Sequence, residues 1–282
     1  MPGKGSGSLG LGFMSVVKRN NVTMIGDGER VMMFAHGFGC DQQMWRLVTP
    51  AFAGDYKLVL FDHVGAGRSD LQAYDRVKYS TLDGYAADVI EICDELGLKD
   101  VVFVGHSVSS MIGVLAALRR PDLFSDLIML GPSPRYVDDD GYTGGFTREG
   151  IEELLAFLES NHLGWAAAMA PAIMGHPDEP ELAGELENSF CATDPEIASQ
   201  FARVTFLSDN RKDLAGVTVP SLVVQCSEDI VAPMAVGEYC RDHLPNSKLV
   251  VLETTGHCPH LSGPEETIAA MKDYLTARSP SA

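Results

Sequence analysis

The strongest constraint on the fold is an apolar run that passes directly into a serine-containing turn and then into an apolar helix. Residues 101–104 have the character of a buried strand, residues 105–109 read Gly-His-Ser-Val-Ser, and residues 111–118 are apolar throughout. A strand, tight turn and helix in this order present a serine on a strained backbone at the carboxyl edge of a parallel sheet. The pattern predicts Ser107 as a nucleophile, although a structural Gly-Ser turn would show the same five residues.

Short apolar runs recur along the chain, with the length and continuity of strands that are covered on both faces. Helical patterns separate most of them, and one helix is predicted from a cap at Ser80 or Thr81 to Gly97. This alternation predicts an α/β fold with a mainly parallel sheet and helices on both faces. The predicted strands lie at residues 31–35, 58–61, 101–104, 127–130, 222–224 and 249–252.

The alternation stops in the middle of the chain. Residues 136–212 lack apolar β-runs, and their pattern is helical at 151–158, 164–173, 181–190 and 195–207. We therefore expect a helical lid at 136–212, inserted into a core domain formed by 16–135 and 213–282. The Gly- and Ser-rich residues 1–15 are expected to be a flexible leader.

Composition excludes several classes of partner. The chain has 282 residues and a formal net charge of -18, a field that repels phosphate backbones and anionic membranes. No apolar stretch approaches the roughly 20 residues of a membrane span, so we expect neither a nucleic-acid nor a membrane partner. Six scattered cysteines without a C-x-x-C pair indicate reduced thiols in the cytoplasm. The sequence contains no motif for a cofactor or a metal.

A serine hydroxyl needs a base to take its proton and a carboxylate to orient that base. His257 follows the last predicted strand, in a loop that returns to the sheet edge carrying Ser107, and His260 is the alternative base. Asp229 follows the preceding strand, and its neighbour Glu228 is the alternative acid. We assign Ser107, Asp229 and His257 as the catalytic residues.

Attack on a carbonyl creates an oxyanion, which preorganised backbone N–H groups must stabilise. We expect one N–H from Val108, directly after the nucleophile. The loop His-Gly-Phe-Gly at 36–39 follows a predicted strand, and its glycines let the backbone turn inward. Phe38 is expected to supply the second N–H and His36 to brace the loop; a plain glycine turn is the alternative.

A second glycine-containing loop at 62–69 also follows a predicted strand. It lacks the following helix and the distant acid of a dinucleotide site, so we expect a structural role.

Several motifs together resemble the RsbQ-like α/β-hydrolases, a group that includes a bacterial stress regulator and the plant karrikin and strigolactone receptors. The resemblance runs from about residue 20 to residue 275. Ser109 departs from the pattern G-x-S-x-G, and with residues 110–113 it resembles the plant receptors. The other motifs lie at 36–42, 62–70, 81–85, 105–108, 119–124, 133–136, 190–195, 208–209 and 256–260.

The resemblance implies an α/β-hydrolase fold with a four-helix lid over a closed apolar pocket. It also implies a small hydrophobic ligand or substrate and, as in the bacterial regulator, a protein partner such as a PAS-domain phosphatase. The residues that would line the pocket, unless they are ordinary lid core, are Phe38, Tyr136, Phe146, Trp165 and Phe206.

Three functions fit these features. The first is a serine hydrolase that cleaves a small hydrophobic ester or lactone through an acyl-enzyme. The second is a ligand-sensing receptor or regulator whose hydrolysis is incidental. The third is a cofactor-free perhydrolase or carbon–carbon hydrolase on the same fold. Chemistry that starts from an aspartate nucleophile is disfavoured, because the turn carries Ser107.

Overall fold

A seven-stranded sheet forms the centre of residues 15–278, the part of the chain that this computed structural model describes. The predicted leader at 1–15 lies outside the described residues except for Ser15. The spatial order of the strands is β1-β3-β2-β4-β5-β6-β7, and every neighbouring pair is parallel except β1 with β3. The strands are β1 (Thr23–Ile25), β2 (Arg30–Ala35), β3 (Tyr56–Phe61), β4 (Val101–His106), β5 (Phe124–Leu130), β6 (Ser221–Cys226) and β7 (Ser247–Leu252).

Helices cover both faces of the sheet. The α-helices within the described range are α1 (Val16–Arg19), α2 (Leu82–Leu96), α3 (Val108–Arg119), α4 (Arg148–Ser160), α5 (His162–Met174), α6 (Pro180–Ala192), α7 (Pro195–Phe206), α8 (Met234–His243), α9 (Pro259–Ser262) and α10 (Pro264–Arg278). None of the helices within residues 15–278 is long and apolar enough to cross a membrane.

Alternate residues of the central strands enter two separate cores. Met33 of β2 packs in the core that contains α2 and α3, whereas Met32 and Phe34 pack in the core that contains α10. Side chains of successive strand residues point to opposite faces, so a strand covered on both sides must be apolar throughout. The α/β fold predicted from these continuous runs is confirmed.

Four helices, α4 to α7, lie between β5 and β6 in the chain, and we call them the four-helix insertion. The helices predicted in this interval are confirmed, each within a few residues of its expected ends. A third apolar core lies in the insertion, around Trp165, Phe190 and Phe206, and includes Val231 and Cys258 from the loops after β6 and β7. The insertion therefore packs onto the carboxyl edge of the sheet.

Two strand predictions need correction. No strand was predicted at β1, which has only three residues, all of them exposed. The run at 249–252 was predicted to be buried on both faces, but β7 is an edge strand and Val251 is 47% exposed. An edge strand has only one neighbour, so the same apolar sequence is covered less completely than in a central strand.

Candidate active site

The serine turn has the strained geometry that its sequence predicts. Ser107 lies between β4 and α3 with φ +56° and ψ −124°, a region that few non-glycine residues adopt and that costs about 1–3 kcal/mol. Its N–H donates to the carbonyl of Leu130 at the end of β5, 2.8 Å away. A Cβ on Gly105 would lie 2.6 Å from the carbonyl oxygen of Ser109, so the close approach of strand and helix requires glycine there.

The structure brings Ser107, His257 and Asp229 together. His257 Nε2 lies 2.8 Å from Ser107 Oγ, and His257 Nδ1 lies 2.7 Å from Asp229 Oδ2. All three side chains are buried. A carboxylate can only accept, so Nδ1 carries the proton and Nε2 presents its lone pair to the serine hydroxyl. In this tautomer the imidazole can remove the serine proton.

The loop after β6 holds the acid in one orientation. Asp229 Oδ1 accepts hydrogen bonds from the N–H groups of Val231 (2.8 Å) and Ala232 (3.1 Å), leaving Oδ2 for the histidine. The neighbouring Glu228 is exposed, and only its backbone carbonyl takes part, accepting from the N–H of Gly256. The geometry therefore favours Asp229 over the alternative acid.

The alternative base lies behind the site. His260 is buried against the rings of Trp45 and His106, with centroids 4.7 and 4.4 Å away. Burial lowers the pKa of His260 to about 3, and burial also holds the pKa of His106 well below its usual range. His106 Nε2 donates to the carbonyl of His257 across 2.7 Å, so it supports the loop of the base.

The two N–H groups expected to face the oxyanion are unpaired. Between residues 15 and 278, no acceptor is assigned to the N–H of Phe38, and none to that of Val108, the first residue of α3. The loop that carries Phe38 lies against the serine turn, because a Cβ on Gly37 would lie 2.6 Å from His106 Nδ1 and 3.4 Å from Ser107 Cβ. Both groups are therefore free to donate to a bound ligand.

A cavity of about 40 Å³ lies between these residues and the insertion. One water molecule needs a cavity volume of about 10–15 Å³. The cavity therefore has room for a group about the size of an acetyl. The lining residues are Phe38, Cys40, His106, Ser107, Trp165, Ile173, Leu186, Phe190, Thr205, Phe206, Val231, His257 and Cys258.

Three of the five aromatic residues predicted for the pocket line this cavity: Phe38, Trp165 and Phe206. Tyr136 is buried beside Phe206, with ring centroids 5.2 Å apart, and its hydroxyl has no hydrogen-bond partner among the described residues. Burial raises the pKa of Tyr136 to about 12, so the hydroxyl keeps its proton at neutral pH. Phe146 lies outside the cavity wall; it is only partly buried and packs against the surrounding apolar core.

The sequence prediction missed four polar residues of the cavity, Cys40, His106, Thr205 and Cys258. Burial is the main cause that raises the pKa of both thiols, so neither is a thiolate at neutral pH. Thr205 is 1% exposed, and its hydroxyl has no hydrogen-bond partner among the described residues. The sequence could not identify this hydroxyl, because a threonine on an amphipathic helix is common and only the tertiary structure shows that it faces the cavity.

No group of three or more His, Cys, Asp or Glu side chains within residues 15–278 is placed to hold a metal ion.

Comparison with known proteins gives consistent relatives. A family model described as the alpha/beta hydrolase fold matches residues 30–264. A karrikin-insensitive 2 receptor of Petunia hybrida is 39% identical over 92% of this chain and 97% of its own. A strigolactone esterase of Arabidopsis thaliana is 40% identical over 93% and 98%. The solved structure of a hydrolase from Oleispira antarctica is 42% identical, with a TM-score of 0.90 over 93% of this chain and 96% of that one.

Proposed function

The chain belongs to the α/β-hydrolase family, in the RsbQ-like group that its motifs resemble, and on that premise we propose that it is a serine hydrolase of small hydrophobic esters or lactones. The observation that carries the proposal is the hydrogen-bonded chain from Ser107 through His257 to Asp229 beside an apolar cavity. Relatives named as esterases support it.

The proposed reaction has two halves. Ser107 Oγ attacks the substrate carbonyl while its proton passes to His257 Nε2, and the N–H groups of Phe38 and Val108 stabilise the oxyanion. The tetrahedral intermediate collapses, His257 gives the proton to the leaving alkoxide, and the acyl group stays on Ser107. Water then attacks the acyl-enzyme with His257 as base and releases the acid. For a lactone, the leaving alkoxide stays attached to the acyl group.

The cavity limits the substrate. An acetyl-sized acyl group fits the cavity beside Ser107, whereas a longer acyl group or a multi-ring lactone needs more room than about 40 Å³, which a movement of the four-helix insertion would provide. Most of the wall is apolar, which favours a substrate with few charges. The Tyr136 hydroxyl, protonated at neutral pH, is a donor that a substrate oxygen near Ser107 could use.

The test is hydrolysis of p-nitrophenyl acetate by the wild type and by Ser107→Ala. We expect kcat of the variant to fall at least 10³-fold, because the nucleophile is gone. The oxyanion donors remain and account for any residual rate. Ser221→Ala is the matched control: Ser221 is also buried, and it donates to a backbone carbonyl at the opposite end of the sheet. Equal rates for the wild type and Ser107→Ala would refute the proposal.

The 39% sequence identity to a protein named as a karrikin receptor supports a second candidate function, a ligand sensor that hydrolyses its ligand slowly. In that case a partner, for which a PAS-domain phosphatase is our expectation, recognises the ligand-bound form. The two functions are distinguished by following multiple turnovers and by mass spectrometry of the protein during the reaction. A sensor releases its product slowly, so acyl-Ser107 accumulates and is detected, whereas a metabolic enzyme does not accumulate it. Perhydrolysis would be detected as peracid formed from an ester and hydrogen peroxide, and carbon–carbon hydrolysis as cleavage of a diketone.

We also propose a cytoplasmic location, because all six cysteines are free thiols.

A further inference from the structure

We propose that Ser109, His63 and His36 form a buried hydrogen-bond relay that positions the Phe38 N–H for the oxyanion. This assignment rests on the proposed function. It makes these three side chains positioning residues for the reaction, although none of them lies in the chain from Ser107 to Asp229. Ser109, the departure from G-x-S-x-G, is where the relay begins.

The hydrogen bonds of the relay fix where each proton lies. The Ser109 hydroxyl donates to the carbonyl of His36. His63 Nε2 lies 2.8 Å from Ser109 Oγ and 3.2 Å from the same carbonyl, which can only accept, so Nε2 carries the proton of that ring. The His63 backbone N–H donates to His36 Nε2 across 3.1 Å. His36 therefore carries its proton on Nδ1 and donates it to the carbonyl of Gly37, 2.9 Å away.

The last bond of the relay acts directly on the oxyanion donor. The carbonyl of Gly37 and the N–H of Phe38 belong to one peptide group, which is planar and trans, so they point in opposite directions. Holding the carbonyl with His36 Nδ1 therefore sets the direction of the Phe38 N–H. The hydrogen bond from the Ser109 hydroxyl to the carbonyl of His36 fixes the peptide group between His36 and Gly37. It also connects the loop to α3, which begins at Val108.

The surroundings keep the relay in one state. His36, His63 and Ser109 are each at most 1% exposed. Burial is the main cause that lowers the pKa of both histidines, which stay neutral as the two tautomers require. The His63 ring packs edge-on against Phe61 and Tyr85. An apolar side chain would satisfy that packing, so the polar ring is explained by its hydrogen bonds rather than by the core.

The test removes the Ser109 hydroxyl in two ways. Ser109→Ala keeps the Cβ, and Ser109→Gly produces G-x-S-x-G, so at least one should fold in this crowded turn. We expect kcat for p-nitrophenyl acetate to fall about 10- to 100-fold, less than the 10²–10³ of losing an oxyanion donor outright, with KM changed less than about 2-fold. The affinity for phenylboronic acid, which forms a tetrahedral adduct on Ser107, should fall in parallel.

Ser221→Ala again serves as the control, because it removes a buried serine hydrogen bond far from the loop. If the Ser109 variants lose stability like Ser221→Ala but keep kcat and boronate affinity, the hydroxyl is structural and the relay is overturned.

A second readout does not depend on activity. Nitrogen-15 NMR of the histidine rings should show Nδ1–H for His36 and Nε2–H for His63 in the wild type, and a disturbed His63 signal in Ser109→Ala. The opposite tautomers would overturn the relay even in an active enzyme. If the tautomers are as expected and the wild type shows no Ser107-dependent turnover, the proposed function fails and the relay stands only as a brace of this loop.

Discussion

Asp229→Asn should reverse the tautomer of His257 without moving its ring. Asp229 Oδ1 accepts two backbone N–H groups, from Val231 and Ala232. In the variant, the amide oxygen must take that position, because turning the NH₂ toward two donors would leave buried groups unpaired at about 1–3 kcal/mol. The NH₂ then faces His257 Nδ1, 2.7 Å away, and donates to it. The proton of the imidazole moves to Nε2 and points at Ser107.

The expected effect is large because an Nε2–H cannot accept the serine proton. The same change in a serine protease lowers kcat by about 10⁴-fold, equivalent to about 5 kcal/mol of activation free energy. We expect a similar loss here, with a melting temperature close to that of the wild type, because both backbone hydrogen bonds to residue 229 are kept.

The assay is kcat for p-nitrophenyl acetate, corrected for the spontaneous rate. Glu228→Gln is the matched control, since it makes the same change of acid to amide in the adjacent, exposed side chain, and it should keep wild-type activity. A rate for Asp229→Asn within about 10-fold of the wild type, or an equal loss in Glu228→Gln, would refute the assignment of the acid.

Three further outcomes are expected. Thr205→Val keeps the shape of the side chain but removes the unpaired hydroxyl; KM should rise about 5-fold for an ester with a second carbonyl and stay constant for p-nitrophenyl acetate, as steady-state kinetics would show. Asp88→Ala removes a fully buried carboxylate that is paired with Arg19 and Lys78, and urea unfolding should show a loss of about 3–5 kcal/mol. His260 binds a proton more weakly when folded, with its pKa lowered to about 3 from 6.5. Stability should therefore fall as the pH drops from about 6.5 to 3, and in His260→Gln that fall should be shallower by about 1.4 kcal/mol per pH unit; a constant melting temperature between pH 6 and 4 would contradict this.

Local sequence patterns predicted much of the fold and the residues at the strand ends. Continuous apolar runs identified six strands, and the residues that follow them include Ser107, Asp229 and His257, which the structure brings together. This worked because the carboxyl ends of parallel strands share one edge of the sheet, so a position in the sequence implies a position in space.

Features that depend on contacts between distant segments could not be predicted in this way. His36 and Ser109 are separated by 73 residues, and His63 and Ser109 by 46. Nothing in the local pattern around the glycine-containing loop at 62–69 shows that the ring of its second residue contacts the serine turn. The loop was predicted to have only a structural role, and its contact with the serine turn follows from the packing of β3 beside β2.

The end of α5 meets the loop of His257 backbone to backbone. A Cβ on Gly175 would lie 2.8 Å from the Cα of Gly256, and one on Gly256 would lie 1.9 Å from the carbonyl oxygen of Met174. The N–H of His257 also donates to the carbonyl of Ile173 across 2.8 Å. An outward movement of α5 that admits a large substrate must therefore break this bond or carry His257 with it. Proton transfer by His257 then requires α5 to return to the position described here after the substrate has entered.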